Sequence, residues 1–321
     1  MKTQRTKILL TLVVLCGTIS LTAGAQAQAD DAILRQTFDL GAPRSSEPQA
    51  FEMETRVINY ALDGKRTGTD IYRIHLRCVP GRAMGKDADE YRCTKFTVQF
   101  AGTAEVAIPA LKDWTYRFKN TDTGMDEKEQ VFGIDHAKFE KLVDANGQVI
   151  PAGKAYHVYN AFVDFHGFCN AFAEPVPGGK GIQDLKRIGQ RIVHAAAFTE
   201  PPVNLGSNIA EGSTFKNGEV TLELKGLSLV DEAACALVAF DSGQSSFQMI
   251  VKPMPNMEVR SVGSSHYKGD LYIDLATRWV RKVVMDEMVV TETRVPMLPD
   301  PINAVIERHS VIRNVTAKDA R

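Results

Sequence analysis

Residues 71–78 read IYRIHLRC. Tyr72, Ile74, Leu76 and Cys78 alternate with Arg73, His75 and Arg77, so one set points to a core and the other to water, the two-residue period of a β-strand. The return run has the same period, with Phe96, Val98 and Phe100 set against Lys95, Thr97 and Gln99. Between them lie Pro80, Gly81, Gly85, Asp87 and Asp89, which is loop chemistry. Working outward, Phe51–Leu62 reads as a strand ending at the Asp63–Gly64 turn, and Trp114, Tyr116 and Phe118 repeat the alternation. Asn146–Gly147 marks a tight hairpin, because both central residues of that turn take positive φ.

From about Ala152 to Ala173 the period lengthens. Tyr156, Tyr159, Phe162, Val163 and His166 fall at helical spacings. A Pro- and Gly-rich break, AEPVPGGKG (173–181), precedes Ile182, Leu185 and Ile188, which suggest a short second helix. The last third returns to β. Val220, Leu222 and Leu224 alternate with Glu219, Thr221 and Glu223, and strands are expected near 235–240, 247–251, 271–275, 278–287, 288–295 and 305–315. Short connections favour antiparallel neighbours. Strands, a helical middle and more strands predict an α+β fold: a mainly antiparallel sheet, either one curved meander or two β lobes, with the helical segment packed on it.

The 321 residues are 44% hydrophobic and 24% charged, with a formal net charge of -1. This is ordinary globular composition, which excludes a disordered chain or a coiled coil, and the charge favours neither nucleic acid nor an anionic surface. The first residues combine basic Lys2, Arg5 and Lys7, an apolar run from Ile8 to about Leu21, and small residues at Ala23, Ala25, Ala27 and Ala29. That three-part pattern predicts a bacterial-type signal peptide over 1–29, cleaved near Ala25–Ala29, and a periplasmic or extracellular protein. Bulky Leu15 before Cys16 argues against lipidation there, and the apolar run is too short and diluted for a membrane anchor. No transmembrane span is expected in the mature chain. The remaining organisation reads as a flexible leader (30–48), an N-terminal β region (49–150), a helical segment (151–200) and a C-terminal β region (201–316), with 49–316 able to form one domain.

Export permits disulfides. Cys78, Cys93, Cys169 and Cys235 remain after the signal, and the predicted hairpin brings Cys78 to Cys93, leaving Cys169 with Cys235. No cofactor or metal is expected, since CxxC and paired-His spacings are absent. There is also no G-x-S-x-G, HExxH, P-loop or GxGxxG. The densest polar cluster is AYHVYNAFVDFHGFCNAF (155–172), where His157, Asp164 and His166 are candidate acid–base residues among Tyr156, Tyr159, Phe162 and Phe165. Asp164 and His166, two apart, face different sides of a helix, so the competing reading is an aromatic core helix. Ser264, Ser265 and His266 precede Tyr267 and Lys268; both this segment and Ser213–Lys216 fit S-x-x-K but lack its partner motifs. Arg278, Arg281 and Lys282 around Trp279 form either an anion contact or a solvated strand face.

The architecture resembles, at the level of fold alone, periplasmic lipoprotein carriers. The resemblance implies an apolar cleft between sheet and helix that could hold acyl chains, with the aromatic helix 156–168 as its lid or wall. Tyr156, Tyr159, Phe162 and Phe165 of that helix, and separately Trp279, are the candidate ligand contacts. The leading expectation is an exported, non-enzymatic binding protein for a hydrophobic small molecule, a lipid or an envelope partner. The alternatives are an exported hydrolase using the 157–166 cluster and a surface scaffold or adhesion module.

Overall fold

A computed structural model describes residues 35–121, 133–203, 205, 209–254 and 257–315. The predicted signal lies outside the described residues. The chain forms a mainly antiparallel open sheet with one short α-helix. The strands are β1 (Gln49–Tyr60), β2 (Arg66–Val79), β3 (Asp89–Gln99), β4 (Val106–Ala107), β5 (Trp114–Phe118), β6 (Arg191–Ala195), β7 (Phe198–Glu200), β8 (Thr214–Asn217), β9 (Val220–Val230), β10 (Ala233–Asp241), β11 (Ser245–Met254), β12 (Met257–Asp274), β13 (Val280–Arg294) and β14 (Ile302–Val315). Their main order is β4-β3-β2-β1-β14-β13-β12-β10-β9-β6. The last strand closes against the first: Val57 faces Arg308 and Met53 faces Ile312, so the two β-rich thirds join one sheet through the β1–β14 ladder. The expected strands 278–287 and 288–295 are a single strand, β13; its turn lies earlier, at Leu275–Thr277.

Helix α1 (Ala152–His166) begins after Pro151 and buries Ala155, Val158, Tyr159, Phe162, Phe165 and His166, the stripe its 3.6-residue period dictates. It lies on the inner face of the sheet. Phe162 stacks on Phe96 at 5.8 Å, and Phe165 meets Phe51 edge-on at 5.2 Å. A wider turn, Gly167–Ala171, follows, in which Phe172 N donates to Gly167 O at 2.9 Å. In place of a second helix there is one short 3-10 turn, Ile182–Asp184.

Residues 30–34 of the expected flexible leader lie outside the described residues, and from Phe38 onward it is tied down. Phe38 and Leu40 are buried, Phe38 N donates to Lys186 O, and Ser45 O accepts from Trp279 Nε1 at 3.1 Å. Apolar residues within a polar stretch explain why it packs.

The cysteine pairing is corrected by the register. Cys78, Cys93, Cys169 and Cys235 are all buried free thiols. Across β2–β3, Cys78 faces Tyr91 and Cys93 faces Leu76. Such diagonal neighbours sit about 7–8 Å apart, beyond the roughly 4 Å between Cβ atoms that a disulfide needs. Cys169 lies in the turn after α1, while Cys235 points back to Ala233 O at 3.5 Å.

The sheet is creased along one line. β10 and β11 both pair with the same edge of β12, at its two ends, and are separated only by Ser242–Gln244. β9 and β8 part at Gly218–Glu219, and β6 and β7 part at 196–197. The close approach there requires glycine, because a Cβ on Gly218 would meet Ser242 O at 2.4 Å. Two buried serines stitch the break: Ser242 Oγ accepts from Tyr267 N, and Ser245 Oγ accepts from Gly218 N.

Candidate functional site

Strand parity assigns the inner face. On β14 it carries Ile312, Ser310 and Arg308, and on β13 Val283, Met285 and Glu287. Val57, Arg308, Glu287 and Tyr267 form one continuous rung across four strands. Arg308 therefore occupies a core position. Its guanidinium is held by Glu287 and, from above, by Asp164 of α1. Burial of all three is high, with 9%, 9% and 16% of their side chains exposed. Burial, together with the Glu287 charge, pushes the Asp164 carboxyl up to about 6 against the pull of Arg308. Burial works against the charge on the Arg308 guanidinium, and the Asp164 and Glu287 carboxylates more than offset it.

Polar atoms without partners collect beside this pair. Arg308 Nε, Tyr72 Oη and His157 Nδ1 are buried and make no hydrogen bond. The Tyr72 and His157 rings lie 5.6 Å apart. Burial, then the charges of Arg308 and Lys154, push His157 down to about 3. Lys154 is itself bonded to Asp70 on the neighbouring strand.

Past this rung α1 no longer covers the sheet. The next inner-face residues are Ile306 with Val289, then Ala304 with Thr291, and on β11 Phe247 and Met249; all are half-buried. The Phe247 ring lies across Gly263, where a Cβ would meet it at 2.5 Å. Phe215 of β8 stacks on Phe247 at 6.1 Å. Burial raises the Tyr156 and Tyr159 phenols, and Glu200 of β7, bonded to Asn217 of β8, lies near enough to add to both shifts. The uncovered floor is thus bordered by the helix and the β7–β8 ribbon, with the Arg308 cluster at its inner end.

The residues singled out in the sequence separate into two groups. Tyr156 and Asp164 border this floor, and His157 stands behind the charged pair. Tyr159, Phe162 and Phe165 are core residues, at most 2% exposed. His166 is fully buried: Nε2 accepts from Tyr116 Oη at 2.8 Å, and Nδ1 donates to Asn170 Oδ1 at 2.9 Å. Burial pushes it down to about 3, so it is neutral. Trp279 is a core anchor with Arg44 over its ring at 4.4 Å. Asp164 is joined to Arg308 and to neither imidazole, so the 157–166 stretch does not assemble an acid–base pair. Ser265 and His266 point to opposite faces of β12, the imidazole meeting Asp241 at 2.8 Å on the outside. Arg308 and Glu287 were not singled out, although along the β13–β14 ladder each is the one charge at an inward parity of its strand, among uncharged residues, and that was a visible signal.

Among the described residues, no three His, Cys, Asp or Glu side chains are grouped to hold a metal ion, and no helix is long and apolar enough to cross a membrane. No family model and no curated protein matches the chain. One solved structure with some likeness is an anion-selective porin from Comamonas acidovorans, 8% identical, spanning 84% of this chain and 98% of that one. Its TM-score of 0.17 carries no argument about fold or function.

Proposed function

We propose that this is an exported, non-enzymatic binding protein whose ligand is an elongated apolar molecule lying on the uncovered inner face of the sheet. The observation that carries the reading is the half-burial of Ile306, Val289, Phe247 and Met249 on the core side of the strands, beyond the end of α1. Core-facing apolar side chains left half-open are what a detachable apolar ligand would complete, at about 0.8 kcal/mol per methylene removed from water. The Arg308 cluster supplies a polar end. Arg308 already faces two carboxylates, so an uncharged hydroxyl or amide head suits it better than another anion.

The test is native mass spectrometry of protein taken from its own envelope, combined with displacement of a fluorescent fatty-acyl probe. A detergent-displaceable adduct is expected. Val289→Lys and Phe247→Ser should weaken probe binding by tenfold or more, with little effect on the far-ultraviolet circular dichroism. A clean apo mass, with probe affinity unchanged in both variants, would overturn the reading.

A second reading, as a docking scaffold, draws on the other face. Met288 and Val290 are each 46% exposed there, beside Val262 at 41%. Retention of a partner protein by the wild type but not by Val290→Lys would favour it.

A further inference from the structure

On the outer face, at the end of the sheet remote from the uncovered floor, β13 opens with a bulge. Ile273 pairs with Val280 and Tyr272 with Lys282, which leaves Arg281 without a cross-strand partner. In an unbroken strand, consecutive residues point to opposite faces. The bulge instead lets Arg281 and Lys282 line the same depression, of about 440 Å3, with Tyr272, Arg313, Ser228 and Asp231. Arg281 is fixed in place, with Nε and Nη2 on Asp274 Oδ2 at 2.8 and 2.7 Å. Asp274 is fixed in turn by Ala276 N and Thr277 N.

Lys282 and Arg313 stand directly opposite each other across β13–β14. Like charges in that position repel. Among the described residues neither has an ion-pair partner. Glu52, which faces Arg313 from β1, lies 3.2 Å from His75 Nδ1, and Lys282 Nζ sits 5.5 Å over the Tyr272 ring. With Arg281 neutralised by Asp274, the lining itself keeps Lys282 and Arg313 against one carboxylate, Asp231, a surplus of one positive charge; Glu52 stands outside the lining, on the β1 side of Arg313.

We infer that this bulge-formed depression on the outer face binds a phosphate group, drawn in by the opposed Lys282 and Arg313 and flanked by the pinned Arg281. A tetrahedral oxyanion accepts from several directions at once, which suits opposed cations on two neighbouring strands with the Tyr272 and Ser228 hydroxyls to one side of them. The phosphate comes either free or as a lipid headgroup.

The full chain is titrated with inorganic phosphate against sodium chloride of matched ionic strength, and the thermal midpoint is read. Phosphate should raise the midpoint of the wild type by a few degrees and that of a Lys282→Gln/Arg313→Gln variant not at all. Without phosphate the variant should melt at or above the wild type, since its repulsion is gone. This second readout separates loss of a site from loss of the fold. Flotation with phosphatidylglycerol and phosphatidylcholine vesicles then identifies the source. Wild-type binding to the anionic vesicles that drops in the variant assigns a lipid headgroup, and a phosphate response without that difference assigns a free phosphate. An equal response to phosphate and chloride, or a phosphate response that survives in the variant, overturns the inference.

Discussion

Arg308 sits where the strand pattern calls for an apolar side chain, and two carboxylates justify its presence there. Removing it leaves Asp164 and Glu287 facing each other with no cation between them. Breaking a buried pair from one side costs about 3–5 kcal/mol. Arg308→Met should therefore lower the urea-unfolding free energy at pH 7.5 by about that amount. The triple variant with Asp164→Asn and Glu287→Gln should recover most of the loss. Asp164 also leaves a pH signature. Its folded pKa of about 6 lies above the unfolded value near 3.9, so the folded state holds a proton that the unfolded state has released. The carboxyl therefore destabilises the protein progressively as pH rises from about 4 to 6, and Asp164→Asn should remove that downward slope from a stability-against-pH curve.

At the scale of elements, α1 and the β2–β3 hairpin show how far pattern reading reaches. The alternation in 71–78 and 96–100 located the strands, and the helical spacing of Tyr156, Tyr159, Phe162 and His166 located the helix. Those signals are local and depend only on which face a side chain takes. The cysteine pairing failed because it depends on register, and the ladder places Cys78 and Cys93 two residues out of step. Ellman titration should find Cys78, Cys93, Cys169 and Cys235 unreactive in the native chain and all four reactive in denaturant, with no change in melting on adding reductant. Burial raises the Cys93 thiol to about 12, which reinforces that inertness. Along α1, Phe162→Ala should cost about 3–5 kcal/mol by urea titration, as for a fully packed aromatic. Tyr156→Ala, at the border of the open floor, should cost less and act mainly on ligand binding.

For the whole molecule, the buried imidazoles set the acid limit. Burial holds His166 near 3, while an unfolded histidine titrates near 6.5. The unfolded chain then takes up a proton that the folded chain refuses, so stability is full above about 6.5 and is lost as pH falls toward 3. This one residue accounts for about 4 kcal/mol over that range. His157 acts in the same direction. Urea unfolding followed from pH 7 to 4 should show the decline, and it should be shallower in His166→Gln. Fold class was legible because alternation runs through most of the chain. The candidate floor was not, because it is defined by where α1 stops over the sheet, a distance in space that no spacing along the chain encodes.

The crease has a mechanical corollary. β7, β8 and β11 hang from β12 like a leaf on a spine, and among the described residues they continue into their upper counterparts through the short links at 196–197, 218–219 and 242–244, with Ser245 bonded across to Gly218. A leaf fastened along one continuous rib can swing without unpairing the rest, so its amides should exchange with deuterium together and sooner than those of β9 and β10. The aromatic pair Phe215 and Phe247 rides on that leaf, and its swing would widen or narrow the room above Gly263.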